Sequence, residues 1–307
     1  MLGKLFFKDG RLQPVLRIIV FSLAVLTLGY TLWVAIDALC GTSLSTSLDL
    51  ADLARGQIAA AIAVGGVAVA MRRWLDRRSV ASLGFAPRRP WLRLLAIGVA
   101  LGAGMQACVA AIEVATGAAT VSGLGAFGGD VRLVATSALL LLIAAFSEEM
   151  STRGYVLQNL WEQWGPGPAV VFSSIGFALL HFDNPHSQEH AALTVSGLFA
   201  FALLACASLL WTGSLWLALG AHMAWNLFEG PVFGFPVSGV VTTVTPVVRV
   251  SVHGPTWLTG GAFGPEAGVI SLLALGAGWM VLSLLHRHGA FADTPDVRES
   301  YAKRSTR

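Results

Sequence analysis

Charge is what this chain has least of. Asp, Glu, Lys and Arg make up 12% of its 307 residues, against about a quarter in soluble domains, and 55% of the chain is hydrophobic. That balance excludes an ordinary water-soluble domain and points to a polytopic membrane protein. Cysteine is scarce as well. Cys40, Cys108 and Cys206 stand far apart, each in or beside an apolar run, so no disulfide framework or CxxC site is expected and free buried thiols are. No internal repeat or low-complexity segment stands out, and the chain reads as one domain, 1–307. The formal charge of +3 comes from basic residues gathered between apolar runs and at the termini, a pattern that serves lipid headgroups and topology rather than nucleic acid.

The apolar runs predict an all-α, polytopic membrane helical bundle of about eight transmembrane helices. They run from about Ile18 to Ile36, Gln57 to Met71 (longer if Leu53 and Ala54 join), Trp91 to Ala115, Leu133 to Val156 with an extension toward Trp161, Ala169 to Phe182, Ala191 to Trp211, Ser214 to Phe228, and Val269 to Leu285. The first is read as an uncleaved helix, because no small-x-small site follows it. Gly165-Pro166-Gly167-Pro168 and Thr212-Gly213 are turns. The Gly117 to Gly129 segment reads as a loop, and Val247 to Val252 in the long Gly230 to Gly268 loop alternates like a short strand. With both termini cytoplasmic, sixteen Lys and Arg fall inside and only Arg55, Arg132 and Arg249 outside, which is the expected positive-inside bias. The protein is therefore expected to be integral and multi-pass, and the membrane expected to hold it is a bacterial inner one.

Against this background Glu148-Glu149-Met150-Ser151-Thr152-Arg153 needs a reason, since ionised side chains inside a bilayer cost at least ~2.5 kcal/mol each on insertion scales. Glu149 and Arg153 are i and i+4 and can pair; Glu148 points about 100° away. Alone, the three could simply cap the cytoplasmic end of the helix. Phe177 to His181 puts a histidine one turn after an aromatic on the fifth helix, however, and His222 to Asn226 puts a histidine and an asparagine one turn apart on the seventh. Convergence on one cavity would satisfy these groups together. Such a cavity suits hydrolysis: a carboxylate takes a proton from water, a histidine holds that water, and two donors stabilise an oxyanion. Depth is the difficulty, because Glu148 lies near the inner end of its predicted span and His181 about 18 Å along its own. Asp183, His186, Glu189 and His190 form a polar loop, with a metal pair at His186 and His190 as the less favoured reading. Gln106 and Glu113 are expected to face the bundle.

These residues resemble the CPBP family of membrane proteases, which includes type II CAAX prenyl endopeptidases and bacterial proteins tied to bacteriocin self-protection. The family pattern is a double glutamate with arginine four residues after the second, then FxxxH, then HxxxN on successive helices. The resemblance covers a core at 133–234 and implies that Glu148 and His181 activate water, that His222 and Asn226 stabilise the tetrahedral intermediate, and that Glu149 and Arg153 support Glu148. Thr152 departs from the aromatic or apolar residue usual there and is expected to pack. HExxH is absent, so metal-free glutamate catalysis is favoured over a zinc ion on Glu148, His181 and His222. The substrate implied is a membrane-associated protein or peptide, with prenylation left open. The rival readings are a catalytically silent scaffold or bacteriocin-immunity protein and a small proton-coupled transporter.

Overall fold

The computed structural model describes residues 7–8, 11–42, 50–87, 90–125, 131–242 and 246–294. A two-residue hairpin, β1 (Phe7–Lys8) with β2 (Arg11–Leu12), leads into helix α1 (Pro14–Cys40). Then come α2 (Leu50–Leu75), α3 (Trp91–Ala115), strand β3 (Ala119–Leu124), α4 (Val131–Trp164), α5 (Pro166–Leu180), α6 (Ala191–Thr212), α7 (Trp216–Leu227), β4 (Val248–Val252) and α8 (Val269–Arg287). Among the described residues six helices are long and apolar enough to cross a bilayer, namely α1, α2, α3, α4, α6 and α8, as befits an integral membrane protein. The fifth and seventh expected spans are α5 and α7, of 15 and 12 residues. At 1.5 Å per residue these reach roughly 22 and 18 Å, short of the ~30 Å hydrocarbon core.

The chain forms two compact units: Met1–Ala86 with Ile143–Ser173, and Pro87–Leu142 with Ser174–Arg307. In the first, α1 begins with Pro14 in its first turn, where a missing N–H costs nothing, and ends at Gly41, whose φ of 68° is the left-handed cap glycine tolerates best. Phe21 of α1 stacks on Tyr155 at 4.3 Å, and Val64, Val67 and Met71 of α2 close the apolar core around them. Beside this core lies a charged one. Arg72 was expected in a cytoplasmic loop; it instead sits in the π-turn Met71–Leu75 that ends α2, with no exposed surface. Its guanidinium meets Asp76 at 3.2 Å and donates to Gln158 at 2.7 Å. Arg17 and Arg78 both reach Glu162, at 3.2 and 2.9 Å, and the Tyr155 hydroxyl donates to Asp76 at 3.1 Å. Counting basic residues could not show that three arginines turn inward to meet acids, because most of those partners are distant in sequence. Lys4, Arg88, Arg89, Arg298, Lys303, Arg304 and Arg307 lie outside the described residues.

The second unit is organised around α6, the most thoroughly buried of its long helices. α3 and α7 run alongside each other at backbone distance. A Cβ added to Gly98 would stand 2.1 Å from the Leu217 carbonyl oxygen, and one added to Gly102 would stand 2.1 Å from that of Ala221. Gly98 and Gly102 form a GxxxG step, the spacing that lets apolar helices approach closely when lipid offers no hydrophobic drive between them. The expected strand is present as β4 and pairs antiparallel with β3, from Ala119↔Val252 to Leu124↔Val248. β3 lies where a Gly-rich loop was expected. Its alternating small residues find a partner more than 100 residues away, which local pattern cannot reveal; residues 126–129 of that loop lie outside the described residues. The three cysteines are free, but only Cys206 is buried, and Cys40 is exposed at the end of α1.

Candidate active site

The motifs divide between the units, the glutamates and Arg153 in the first, the histidines and Asn226 in the second. Glu149 and Arg153 are 0% and 1% exposed, and Arg153 Nη1 meets Glu149 Oε1 at 3.1 Å, the pair that their spacing predicts. Glu148, on a different face, is only half-buried. α4 continues sixteen residues beyond Glu148 to Trp164, so Glu148 does not stand at the helix end.

Sequence reasoning missed the backbone just after the glutamates. Met150–Val156 is a π-turn, and the Leu157 amide donates to the Thr152 carbonyl five residues back. Widened turns inside helices recur at functional sites. Here two hydroxyls serve the widened backbone: Ser151 Oγ and Thr152 Oγ1 both donate to the Glu148 carbonyl, at 3.1 and 2.5 Å. Thr152 also accepts from Arg153 Nη1 at 2.9 Å. It is buried, as expected, and more than filler. The only signal for this in the sequence was Ser-Thr directly after Glu-Glu-Met, and hydroxyls in apolar helices commonly bond to nearby carbonyls.

In the second unit, Phe177 joins the two histidines. His181 comes just after the last residue of α5 rather than lying inside it, and its Nδ1 lies 2.9 Å from the Phe177 carbonyl oxygen. The Phe177 ring stands 4.8 Å from the His181 ring and 6.1 Å, edge on, from that of His222. Phe201 of α6 closes the other side, 5.0 Å from His222 and 5.7 Å from Trp225. His222 and Asn226 are one turn apart on α7, 5% and 6% exposed, so an imidazole and a carboxamide share one face. The aromatic rings of Phe177 and Phe201 fix the position of His222.

The polar loop is not helical. His186 has φ 63° and its Nδ1 lies 2.6 Å from Glu189, while His190 Nε2 lies 2.6 Å from Thr256 Oγ1. The two histidines thus serve different partners, and the solvated-loop reading holds. Within neither unit do three His, Cys, Asp or Glu among the described residues group as a metal ion would need. Asn226, a carboxamide, is a poor substitute for the third His, Cys or carboxylate of a catalytic zinc site. The donor set of the second unit fits zinc badly.

No curated protein matches the chain. A family model of Rce1-like proteins, described as type II CAAX prenyl endopeptidase Rce1-like, matches residues 130–228, about a third of the chain. That stretch contains the double glutamate with Arg153, the Phe177 to His181 step and the His222 to Asn226 step in the family's order. Over this segment the chain is similar to the type II CAAX prenyl endopeptidase Rce1-like family, the family its motifs resemble.

Proposed function

We propose that the protein is an intramembrane endopeptidase that hydrolyses a peptide bond in a membrane-associated protein or peptide. The observation that carries this reading is the presence of all three motifs, in order, inside the family-matched segment. Support also comes from the double glutamate, where Arg153 meets the buried Glu149 and Glu148 stands half-buried on a different face. In the proposed reaction Glu148 takes a proton from a water molecule that His181 holds. The resulting hydroxide attacks the scissile carbonyl carbon. His222 and Asn226 donate hydrogen bonds to the oxyanion of the tetrahedral intermediate, and the proton held by Glu148 passes to the leaving amine as the C–N bond breaks. General base catalysis contributes ~10²–10⁴-fold, and an oxyanion donor ~10²–10³-fold. No step is routed through a metal.

The same reading takes the chain to be a single domain with eight spans, α5 and α7 included, and both termini on the cytoplasmic side of a bacterial inner membrane. A prenyl group on the substrate is the specific form suggested by the family's description. The test is to compare the proteomes of membranes carrying wild-type, Glu148→Ala or His181→Ala protein, with each variant's melting measured in detergent. Cleavage fragments specific to wild type should disappear in both variants while melting is retained. Undiminished cleavage by Glu148→Ala would overturn the reading and favour a silent scaffold. Activity surviving chelation, in protein found metal-free by elemental analysis, is expected; loss restored by zinc would overturn the metal-free step.

A further inference from the structure

The second unit holds a group of buried polar side chains that the hydrolytic reading does not use. Glu113 of α3 and Glu229, in the π-turn Phe228–Val232 that continues α7, are each 0% exposed. Among the described residues no donor meets either carboxylate in hydrogen-bond geometry; the Trp225 indole and the Glu266 backbone approach Glu229 without completing one. The register of the α3–α7 pair brings a third group to them. A Cβ on Gly102 would stand 2.9 Å from the Trp225 amide nitrogen, and four residues further along each helical segment come Gln106 and Glu229. Gln106 is fully buried with both carboxamide atoms unpartnered, and Glu113 lies two turns along the same face of α3. Glu266 acts on the Glu229 carboxylate, as Glu113 does, and itself accepts from Ser238 Oγ at 2.5 Å. The backbone closes over the group: a Cβ on Gly264 would lie 3.2 Å from Glu229 Oε1, and Phe263 to Gly268 is a buried segment that holds only one short 3-10 turn, Pro265–Ala267.

We propose that Gln106, Glu113 and Glu229 line a buried site for a small monovalent cation with its water, sodium being the ion it suits. An ionised carboxylate taken out of water costs several kcal/mol unless it is compensated. Protonation alone leaves the carbonyl oxygens and the Gln106 amide unsatisfied, and buried orphans of this kind call for water or an ion. Negative charge excludes an anion. Complete burial excludes a peptide or an organic ligand. Carboxylate and carboxamide oxygens are hard donors that match hard cations, and irregular backbone at membrane depth is tolerated where it lines such a polar space. Gln106, Glu113 and Glu266 lie outside the family-matched segment, and Glu229 follows its last residue.

The test uses full-length protein in detergent. Melting is followed at pH 8 as NaCl replaces choline chloride at constant ionic strength, and bound ²²Na⁺ is counted by equilibrium binding. A ligand of the folded state raises stability with its concentration. The wild-type melting temperature should therefore climb with sodium and saturate, with one competable sodium held per chain. Glu229→Gln and Glu113→Gln, which keep shape and lose charge, should melt cooperatively with flat sodium curves and retain no ²²Na⁺. Melting indifferent to sodium with no retained label, a response to pH alone, or undiminished sodium binding by both variants would each overturn the proposal. If neither variant folds, the wild-type binding count decides.

Discussion

The two units surround their motifs with opposite materials. Around the double glutamate the first unit uses charge: Arg153 on Glu149, then Arg17, Arg72 and Arg78 on Asp76 and Glu162, with Tyr155 between the ionic and apolar parts. Around the histidines the second unit uses shape, with Phe177 and Phe201 against the imidazoles and glycines bringing α3 onto α7. A charged network in an apolar chain holds only while each member keeps its counterpart, because one unpaired charge restores the full desolvation cost. A packed aromatic and glycine surface tolerates loss of charge but not change of volume. The first unit should therefore fail when a charge is removed and the second when an atom is added.

The largest effect expected of this contrast comes from Arg153→Met. It leaves Glu149 buried and uncompensated, and should destabilise the protein by about 3–5 kcal/mol in detergent unfolding. Adding Glu149→Gln should recover much of that loss, and failure to recover would mean that Arg153 acts through its packing instead. Next is Gly102→Leu, whose side chain meets the Ala221 backbone; overpacking of this kind costs about 1–3 kcal/mol. Its loss should be the same in high and low salt, which separates a steric defect from an ionic one. The smallest is Thr152→Val. It removes the hydroxyl shared between the Glu148 carbonyl and Arg153 and should cost about 1 kcal/mol, measured against Thr152→Ser, which keeps the hydroxyl.

Much of the site was legible because its information is local. Residues four apart on a helix are neighbours whatever surrounds them, so Glu149 with Arg153 and His222 with Asn226 could be paired from spacing alone. The long helices were legible for the same reason. Their boundaries reflect hydropathy, and the Trp91 to Ala115 span coincides with α3. The misreadings arose where the deciding partner is remote. Arg72 looked like a loop residue until Gln158 of a distant helix turned it inward, and β3 looked like a glycine-rich loop until β4 paired with it. His181 just past the end of α5 and the π-turn after Glu149 are local in position, but which backbone bonds win there is settled by packing.

By itself, then, the sequence determined that this is a helical membrane protein with three polar motifs set at four-residue spacings, because composition and spacing act without knowledge of the fold. Only the tertiary structure decided that Phe177 touches both histidines, that Thr152 belongs to the Arg153 ion pair, and that Gly102 lies against the backbone of Ala221 and Trp225. Those contacts join residues through space. Apolar helices slide against one another without preference until glycine steps and buried charges select one register, and no single helix carries that selection.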